Sequence, residues 1–142
     1  MKKIIILQGP PASGKSTLAK KLHEEDQSKV IVSRDAIREA RGEYWIPSQE
    51  KYISDVEEFM VVAALEHGLT PIIDATNLNK NTLAKWEVLA DLHEAEIEYI
   101  KCIIPYEEAV VRDKNRKRPV GEKVVTDFYE RYFPEMITKV EE

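Results

Sequence analysis

The chain has 142 residues, of which 43% are hydrophobic and 33% are charged, and its formal net charge is −5. This length fits one domain, so residues 1–142 are expected to form a single folded unit. The composition excludes a disordered chain, and the acidic balance excludes a protein that coats nucleic acid by bulk electrostatics. The longest apolar runs are too short for a membrane helix, and no signal-peptide region precedes the first strand pattern, so we expect a cytoplasmic protein without a membrane partner.

A glycine-rich motif follows the first predicted strand, residues 2–7, and opens a predicted helix, residues 16–23. It fits G-x-x-x-x-G-K-[ST] at every fixed position and consists of Gly9, Pro10, Pro11, Ala12, Ser13, Gly14, Lys15 and Ser16. In such a loop the glycines let backbone N–H groups point at an anion, the lysine reaches the β- and γ-phosphates, and the serine hydroxyl ligates Mg²⁺. The flanking strand and helix favour a nucleoside triphosphate site over a glycine-rich turn without a ligand.

Polar residues follow the second predicted strand, Lys29 to Ser33. Ligands of open α/β sheets bind at the carboxyl ends of the strands, so Asp35 is expected near the phosphates. The alternative is that Asp35 only caps the helix that starts at Ala36. Arg38 follows three residues later and shares the face of Asp35 on that helix.

Residues 40–47 are predicted to be a loop, and its aromatic residues Tyr44 and Trp45 either stack on a ligand or cover an edge of the core. A long amphipathic helix is predicted over residues 48–67, with Ser48 as its N-cap and Gly68 as its stop signal. Its predicted core stripe consists of Tyr52, Val56, Phe59, Met60 and Ala63.

The third predicted strand, residues 70–76, ends in the polar run Asp74-Ala-Thr-Asn-Leu-Asn79. Asp74 follows an apolar strand and is a candidate to order the hydration shell of Mg²⁺ in the manner of a Walker B acid. Asn79 or Asn81 is expected to cap the next helix.

A fourth strand is predicted over residues 96–105, with Cys102 as a buried structural thiol. The helix that starts at Glu107 carries the basic run Arg112–Arg118, which is either a solvated helix end or a source of cations for transition-state charge. A last helix is predicted over residues 122–132. Strands that alternate with helices predict a parallel sheet flanked by helices.

These motifs together resemble the kinase domain of polynucleotide 5′-hydroxyl kinases, as in phage end-healing enzymes and bacterial RNA-repair systems. The resemblance covers essentially the whole chain and rests on Gly9–Thr17, on Ser33-Arg-Asp-Ala-Ile-Arg38, on Asp74–Asn79 with Trp86 in the following helix, and on Arg112 and Arg116. It implies an α/β P-loop NTPase fold of the adenylate-kinase-like type, with a four-stranded parallel sheet and helices on both faces. It also implies transfer of the γ-phosphate of ATP, with Mg²⁺ as cofactor, to the 5′-hydroxyl end of RNA or DNA.

The resemblance further implies a role for each matching residue. Asp35 would be the general base, Arg38 would hold the acceptor's neighbouring phosphate, and Thr76 and Asn77 would contact the substrate. The whole of Gly9–Thr17 would bind ATP, with Lys15 in catalysis. Arg116, together with Arg112, would lie in a lid over the donor and neutralise the transferring phosphoryl group. Ser16 and Asp74 would serve the metal.

The chain departs from the phage enzymes in two places. They carry Asp directly before Thr-Asn-Leu-Asn, whereas here Ala75 intervenes, so Asp74 would face the other side of a regular strand. They also continue into a phosphatase domain with an Asp-x-Asp-Gly-Thr motif, which this sequence does not contain. The sequence therefore predicts a kinase without 3′-phosphatase activity.

Two other functions fit the same scaffold. A small-metabolite kinase, similar to gluconate or shikimate kinases or to toxins that phosphorylate sugar nucleotides, would share the phosphate loop and the strand-end aspartate. Arg38, Thr76 and Asn77 favour a polynucleotide over a small metabolite. A nucleotide-binding switch would need a partner surface and no acceptor-activating base, and Asp35 together with the absence of an obvious apolar patch in the sequence favours the kinase.

Overall fold

The computed structural model describes residues 2–138, with side chains through residue 136. Its strands are Lys2–Gln8 (β1), Lys29–Ser33 (β2), Thr70–Asp74 (β3) and Ala95–Lys101 (β4). Its helices are Lys15–Glu25 (α1), Arg34–Arg41 (α2), Glu50–Glu66 (α3), Lys80–Leu92 (α4), Tyr106–Lys114 (α5), Glu122–Tyr132 (α6) and Pro134–Thr138 (α7). A single 3₁₀ turn, Pro47–Gln49, precedes α3.

The four strands form one parallel sheet in the order β2-β3-β1-β4, which confirms the predicted sheet. The register places Leu7 and Ser33 on either side of Asp74, so β2 and β3 end in one row and β1 ends one residue beyond it. The segments that follow these strands therefore start side by side at the carboxyl edge of the sheet.

Helices cover both faces of this sheet, as the fold class predicts. On one face, Val61 and Leu65 of α3 and Trp86 of α4 pack in a cluster with Ile4 and Ile6. On the other face, Ala19 of α1 lies in a cluster with sheet residues that include Ile5, Leu7 and Ile72. Because successive strand residues point to opposite faces, the apolar run of residues 4–7 in β1 supplies both clusters. A third apolar cluster joins α5 and α6 through Ala109, Val110, Val125 and Tyr129.

The predicted core stripe of α3 is wrong in part. Tyr52, Phe59 and Met60 are exposed, Phe59 to 73%, while the buried face consists of Ile53, Glu57, Val61, Ala64 and Leu65. The buried Glu57 accepts a hydrogen bond from Arg34 at 3.0 Å, and this pairing lets a charged residue occupy a core position. The predicted stripe followed the helical spacing of apolar residues, and the buried face contains a charged residue that this spacing leaves out. The exposed aromatic side chains also form an apolar surface that the sequence did not indicate.

The helix termini show which predicted caps form. The Ser33 hydroxyl accepts from the Ala36 N–H at the start of α2, so Ser33 is the cap and Asp35 lies in the first turn. Asn79 caps α4 as predicted, whereas α3 has no side-chain cap and the predicted Ser48 cap is wrong. Gly68 ends α3 with a φ of 72° and donates to the Leu65 carbonyl, which is the geometry of a glycine C-cap.

The basic run is only partly helical. The prediction placed it on a helix from Glu107, but α5 ends at Lys114 and residues 115–121 form a turn. The buried carboxylate of Asp113 accepts from the Val120 and Gly121 N–H groups at 3.0 and 2.9 Å and holds this turn. Within residues 2–138, no helix has the length and apolar character that crossing a bilayer requires.

Candidate active site

A cavity of about 490 Å³ opens at the carboxyl edge of the sheet. The predicted site residues that line it are residues 11–17, Asp35, Arg38, Asp74, Thr76, Arg112 and Arg116. Tyr44, a candidate for stacking on a ligand, also lines the cavity, and Arg34, Ala75 and Val120, to which the sequence gave no site role, complete the wall. Gly9, Pro10 and Asn77 lie behind this surface. The fold therefore brings distant motifs to a single cavity.

The phosphate loop is tied to both neighbouring strand ends. The Gly9 N–H donates to the Thr76 carbonyl at 3.1 Å, and the Cys102 N–H donates to the Gln8 carbonyl at 2.6 Å. The loop then turns through a left-handed residue, Ala12 with a φ of 65°, before α1 begins. Because the first N–H groups of a helix have no intrahelical partner, the start of α1 presents donors and a positive dipole end to the cavity.

Gly9 lies against the backbone that follows β4, and this contact gives the first prediction. A Cβ at Gly9 would lie 2.0 Å from the Cys102 carbonyl oxygen, so Gly9→Ala must displace the backbone. We expect it to lower the free energy of unfolding by about 2–4 kcal/mol and to weaken ATP binding. Urea unfolding and ATP titration measure the two effects. Unchanged stability and unchanged affinity would show that the loop accommodates the methyl group and would contradict the structure here.

Lys15 is folded into the loop that precedes it. Its ammonium group donates to the carbonyls of Gly9 at 3.0 Å and Pro10 at 2.7 Å and lies 3.4 Å from the Ser13 hydroxyl. Burial lowers the pKa of Lys15 to about 8, against a pull in the other direction from the Asp74 carboxylate. The cation is thus held at low solvent exposure beside the phosphate cradle, where charge interactions are strong.

Asp74 points into the site beside Ser16. The Ser16 hydroxyl donates to Asp74 Oδ2 at 2.8 Å, and Asp74 is only 8% exposed. Burial raises the pKa of the Asp74 carboxyl, while the Ser16 hydrogen bond and Lys15 lower it. The sequence argument that a regular strand would turn Asp74 away is not supported, because β3 ends at this residue.

The pair fits a magnesium ion in its chemistry. A hydroxyl and a carboxylate are hard oxygen donors, and Mg²⁺ in phosphate sites is held by one or two protein oxygens together with phosphate oxygens and waters. Within residues 2–138 there is no group of three or more His, Cys, Asp and Glu side chains that could hold a metal without such help. Ser16 and Asp74 are therefore the residues that would hold Mg²⁺ together with the donor nucleotide.

Asn77 has a different place from the predicted substrate contact. Its side-chain amide is buried and donates to the carbonyls of Leu7, Ile73 and Ala75, at 2.7, 3.1 and 3.2 Å. These bonds fasten the ends of β1 and β3 and leave no amide hydrogen directed at the cavity. The structure thus gives Asn77 an architectural role, whereas Thr76 does line the cavity.

Asp35 projects into the cavity with its two carboxylate oxygens in different surroundings. Oδ1 accepts from Arg38 Nη1 at 2.9 Å and from the Tyr44 hydroxyl at 2.7 Å. Oδ2 has a longer contact, 3.8 Å, with Arg116 Nη2. One oxygen is therefore fixed by two donors, and the other remains open toward the cavity.

Arg38 is anchored by a residue that the sequence did not single out. Glu50, at the start of α3, accepts from Arg38 Nε at 3.0 Å and from Nη2 at 2.6 Å, and also from Arg34 Nη2 at 3.2 Å. The Glu50 hydrogen bond is the main cause that raises the pKa of Arg38 above its usual value. No local signal marks Glu50, since its partners lie on α2, 12 and 16 residues away along the chain.

Two further arginines of the cavity come from the basic run. Arg112 pairs with Glu108 on α5, and Arg116 in the following turn lies 3.6 Å from Asp113 as well as near Asp35. Both side chains line the cavity and face the phosphate loop side of the site. The cavity wall thus contains four arginines, one lysine and two carboxylates, a chemistry suited to stabilising charge on a phosphoryl group.

Comparison with known proteins gives one family and several relatives. A family model described as an AAA domain matches residues 4–135. The L-seryl-tRNA(Sec) kinase of Methanococcus maripaludis is 27% identical over 135 residues, which is 91% of this chain and 52% of that protein. Human NEDD4-binding protein 2 is 33% identical over 98 residues, which is 66% of this chain and 5% of that protein. The chain therefore spans about half of the first relative and a small part of the second.

Solved structures give the same result for the fold. A chain from the Pnkp1/Rnl/Hen1 RNA repair complex superposes with a TM-score of 0.79 at 28% identity and covers 99% of this chain and 45% of its own. A putative kinase from Chloroflexus aurantiacus, with a TM-score of 0.69 at 20% identity, supports the fold alone. The predicted P-loop NTPase fold is confirmed, and so is the resemblance to the polynucleotide kinase family. Because the family model spans most of its length, the chain belongs to the AAA domain family.

Proposed function

We propose that this protein is an ATP- and Mg²⁺-dependent kinase that phosphorylates the 5′-hydroxyl end of RNA or DNA. In this proposal residues 1–142 act as one kinase domain in the cytoplasm. The observation that carries it is the pairing of Asp35 with Arg38 in the same cavity as the phosphate loop. A carboxylate suited to a hydroxyl thus lies in direct contact with a guanidinium suited to a phosphate.

Arg38 retains donors for an anion after its own anchoring. A guanidinium has five N–H donors, and Arg38 uses three of them, two toward Glu50 and one toward Asp35, so two remain. Glu50 holds the plane of the group in a bidentate pair, which fixes its orientation at little entropic cost on binding. A phosphate that follows the terminal nucleoside would therefore meet the already oriented guanidinium of Arg38, next to the Asp35 carboxylate that activates the hydroxyl.

The chemistry follows from the two sides of the cavity. Asp35 Oδ2 accepts the proton of the acceptor hydroxyl as that oxygen bonds to the γ-phosphorus, and the bond from the γ-phosphorus to the β,γ-bridging oxygen breaks to release ADP. The side chains of Lys15, Arg112 and Arg116 stabilise the negative charge on the phosphoryl group in the transition state of its transfer. Ser16 and Asp74 would hold Mg²⁺, and the bound ion would supply positive charge that offsets the negative charge of the donor phosphates.

The relatives support this class of acceptor. One solved neighbour belongs to an RNA repair complex, and one curated relative is a kinase of seryl-tRNA, so both names refer to RNA. The second name supplies a competing acceptor, the seryl hydroxyl of a charged tRNA, since that relative aligns with 91% of this chain. A small-metabolite kinase is the other competitor from the sequence.

The test is transfer of radiolabelled γ-phosphate from ATP with Mg²⁺ to a panel of acceptors. The panel contains a short 5′-hydroxyl oligonucleotide as RNA and as DNA, a nucleoside 3′-monophosphate, seryl-tRNA, gluconate and shikimate. Label on the oligonucleotide and the 3′-monophosphate alone supports the proposal. Label on seryl-tRNA alone, or on gluconate or shikimate alone, would support phosphate transfer from the phosphate loop but would refute the proposed acceptor.

Removal of the guanidinium gives the second prediction. Arg38→Ala should raise the KM for a nucleoside 3′-monophosphate about tenfold to a hundredfold, because charge-assisted hydrogen bonds to the phosphate are lost. The KM for ATP should stay within about twofold, since Arg38 does not belong to the phosphate loop. Steady-state kinetics with each substrate varied separately measures both constants.

Arg131→Ala is the matched control, because Arg131 is exposed on α6 and contacts only the Tyr132 ring among the contacts described. It should change neither constant. Equal increases in both KM values for the Arg38 variant would show a general loss of the site and would contradict a specific acceptor role.

A further inference from the structure

Trp45 lies next to the acceptor residues without being buried by the fold. Its side chain is 57% exposed, and its ring centroid lies 5.6 Å from the guanidinium carbon of Arg38. The same guanidinium donates to Asp35 at 2.9 Å. The Asp35 carboxylate, the Arg38 guanidinium and the Trp45 indole thus form a contiguous series that leads away from the phosphate loop.

The loop that carries Trp45 is held in place by its own contacts. Arg41 donates to the carbonyls of Glu43 and Tyr44, and the Tyr44 hydroxyl donates to Asp35. Arg118 lies 4.8 Å above the Tyr44 ring. These contacts hold the loop on the N-terminal side of Trp45 in place before any acceptor binds, so stacking on the indole costs little ordering of the loop.

We propose that Trp45 is the stacking platform for the second nucleobase of the acceptor strand, on the 3′ side of the phosphate that Arg38 holds. This inference rests on the proposed function and names a subsite within it. The terminal hydroxyl lies at Asp35 and its 3′-phosphate at Arg38, so the next unit along the strand is the second nucleoside. Trp45 is the next described group along the same series.

The chemistry of the pair fits a nucleobase. Every base has a π-face, and proteins that bind single strands stack successive bases on aromatic side chains beside cations. The cation–π contact of Arg38 on the indole belongs to the same kind of site. Such a subsite requires an unpaired second nucleotide, so it selects acceptors with a single-stranded 5′ end.

The structure also provides the reporter for a test. The chain has two tryptophans, and the other one, Trp86, is fully buried between α4 and the sheet. A nucleobase that stacks on Trp45 should quench its fluorescence and leave Trp86 as a constant background. Binding is then measured without ATP or Mg²⁺, independently of phosphate transfer.

The experiment titrates the protein with three probes: a 5′-hydroxyl tetranucleotide, the same tetranucleotide with an abasic second position, and a nucleoside 3′-monophosphate. We expect quenching by the first probe only. Trp45→Leu, which keeps an apolar side chain but removes the π-face, should weaken the first probe roughly 5- to 150-fold. The affinity for the other two, measured by competition with a fluorescent ATP-independent tracer strand, should stay the same. Trp45→Phe should restore most of the loss.

The abasic probe and the Trp45→Leu variant together form a double-mutant cycle between the indole and the second nucleobase. In Trp45→Leu the missing second base should cost nothing further, because both changes remove the same contact. Equal weakening of the tetranucleotide and the 3′-monophosphate in Trp45→Leu would mean that the indole only positions Arg38, which overturns the proposal. Quenching by the 3′-monophosphate would place the terminal base, and not the second one, on Trp45. An absence of quenching with every probe would mean that no base stacks on the indole. Either result also overturns the proposal.

Failure of the proposed function gives a different pattern. Quenching that depends on the second base, without any transfer of phosphate to that strand, would retain the stacking subsite and refute the 5′-kinase activity. Transfer to the tetranucleotide that is indifferent to both the abasic position and Trp45→Leu would retain the kinase and refute the subsite.

Discussion

Lys15→Met is expected to reduce phosphate transfer by about a thousandfold or more, because the cation that stabilises the β- and γ-phosphates in the transition state is lost. Methionine has a similar length and no charge, so the shape of the loop around Gly9 and Pro10 is largely kept. Single-turnover transfer of labelled phosphate at saturating ATP measures the chemical step.

The same substitution is expected to stabilise the fold. The pKa of Lys15 is about 8 in the folded protein, below its usual 10.5, because burial disfavours the ammonium form. The folded state therefore bears a cost that is fully present below pH 8 and that disappears as pH rises to about 10.5. At pH 7, Lys15→Met should raise the free energy of unfolding by about 1–3 kcal/mol, and it should abolish the rise in stability that the parent protein shows between those pH values.

Lys51→Met is the matched control for both readouts. Lys51 is a surface residue of α3, 85% exposed, and pairs only with Asp55 among the ion pairs described. It should leave transfer unchanged and stability within about 0.5 kcal/mol. Loss of stability as well as activity in the Lys15 variant would show that the ammonium group stabilises the loop, and would contradict the prediction that its role is only to bind phosphate.

Asp35→Asn is expected to reduce transfer about 10²- to 10⁴-fold while ATP binds with unchanged affinity. The amide oxygen can still accept from Arg38 and Tyr44, as Oδ1 does in the parent protein. The amide nitrogen in the place of Oδ2 cannot take a proton. The loss should therefore fall on kcat, with little change in the KM of the acceptor.

Asp55→Asn makes the same chemical change on an exposed side chain of α3 and should have no effect on kcat. Transfer by Asp35→Asn at the parent rate would exclude Asp35 as the base. It would return this residue to the simple role of a charged group in the first turn of α2.

The sequence predicted the elements that depend on local spacing. The phosphate loop, β2 and the last long helix were placed closely because each is set by a few neighbouring residues: the two glycines around Lys15, the β-branched run before Ser33, and the Gly121 that precedes α6. The row of strand ends followed from the alternation of strands and helices, and so did the meeting of Asp35 and Asp74 at one edge.

The contacts that connect these elements could not be predicted from local spacing. Glu50 anchors Arg38 across a loop, and Glu57 occupies a core position because Arg34 reaches it from another helix. Each reads as an ordinary surface charge in the sequence. The family resemblance implied a substrate contact for Asn77, yet its amide donates to three backbone carbonyls.

The position of β1 in the sheet has a consequence for the order of folding. β1 pairs with β3 and β4 and not with β2, so in the nascent chain it has no partner in the sheet until β3, residues 70–74, has been made. The ties that set the phosphate loop, from Gly9 to Thr76 and from Cys102 to Gln8, close only after that. Such long-range pairings lose chain entropy when the loop closes, and the stabilising contacts form only afterwards. The nucleotide site is encoded at the start of the chain and is among the last features that the nascent chain completes.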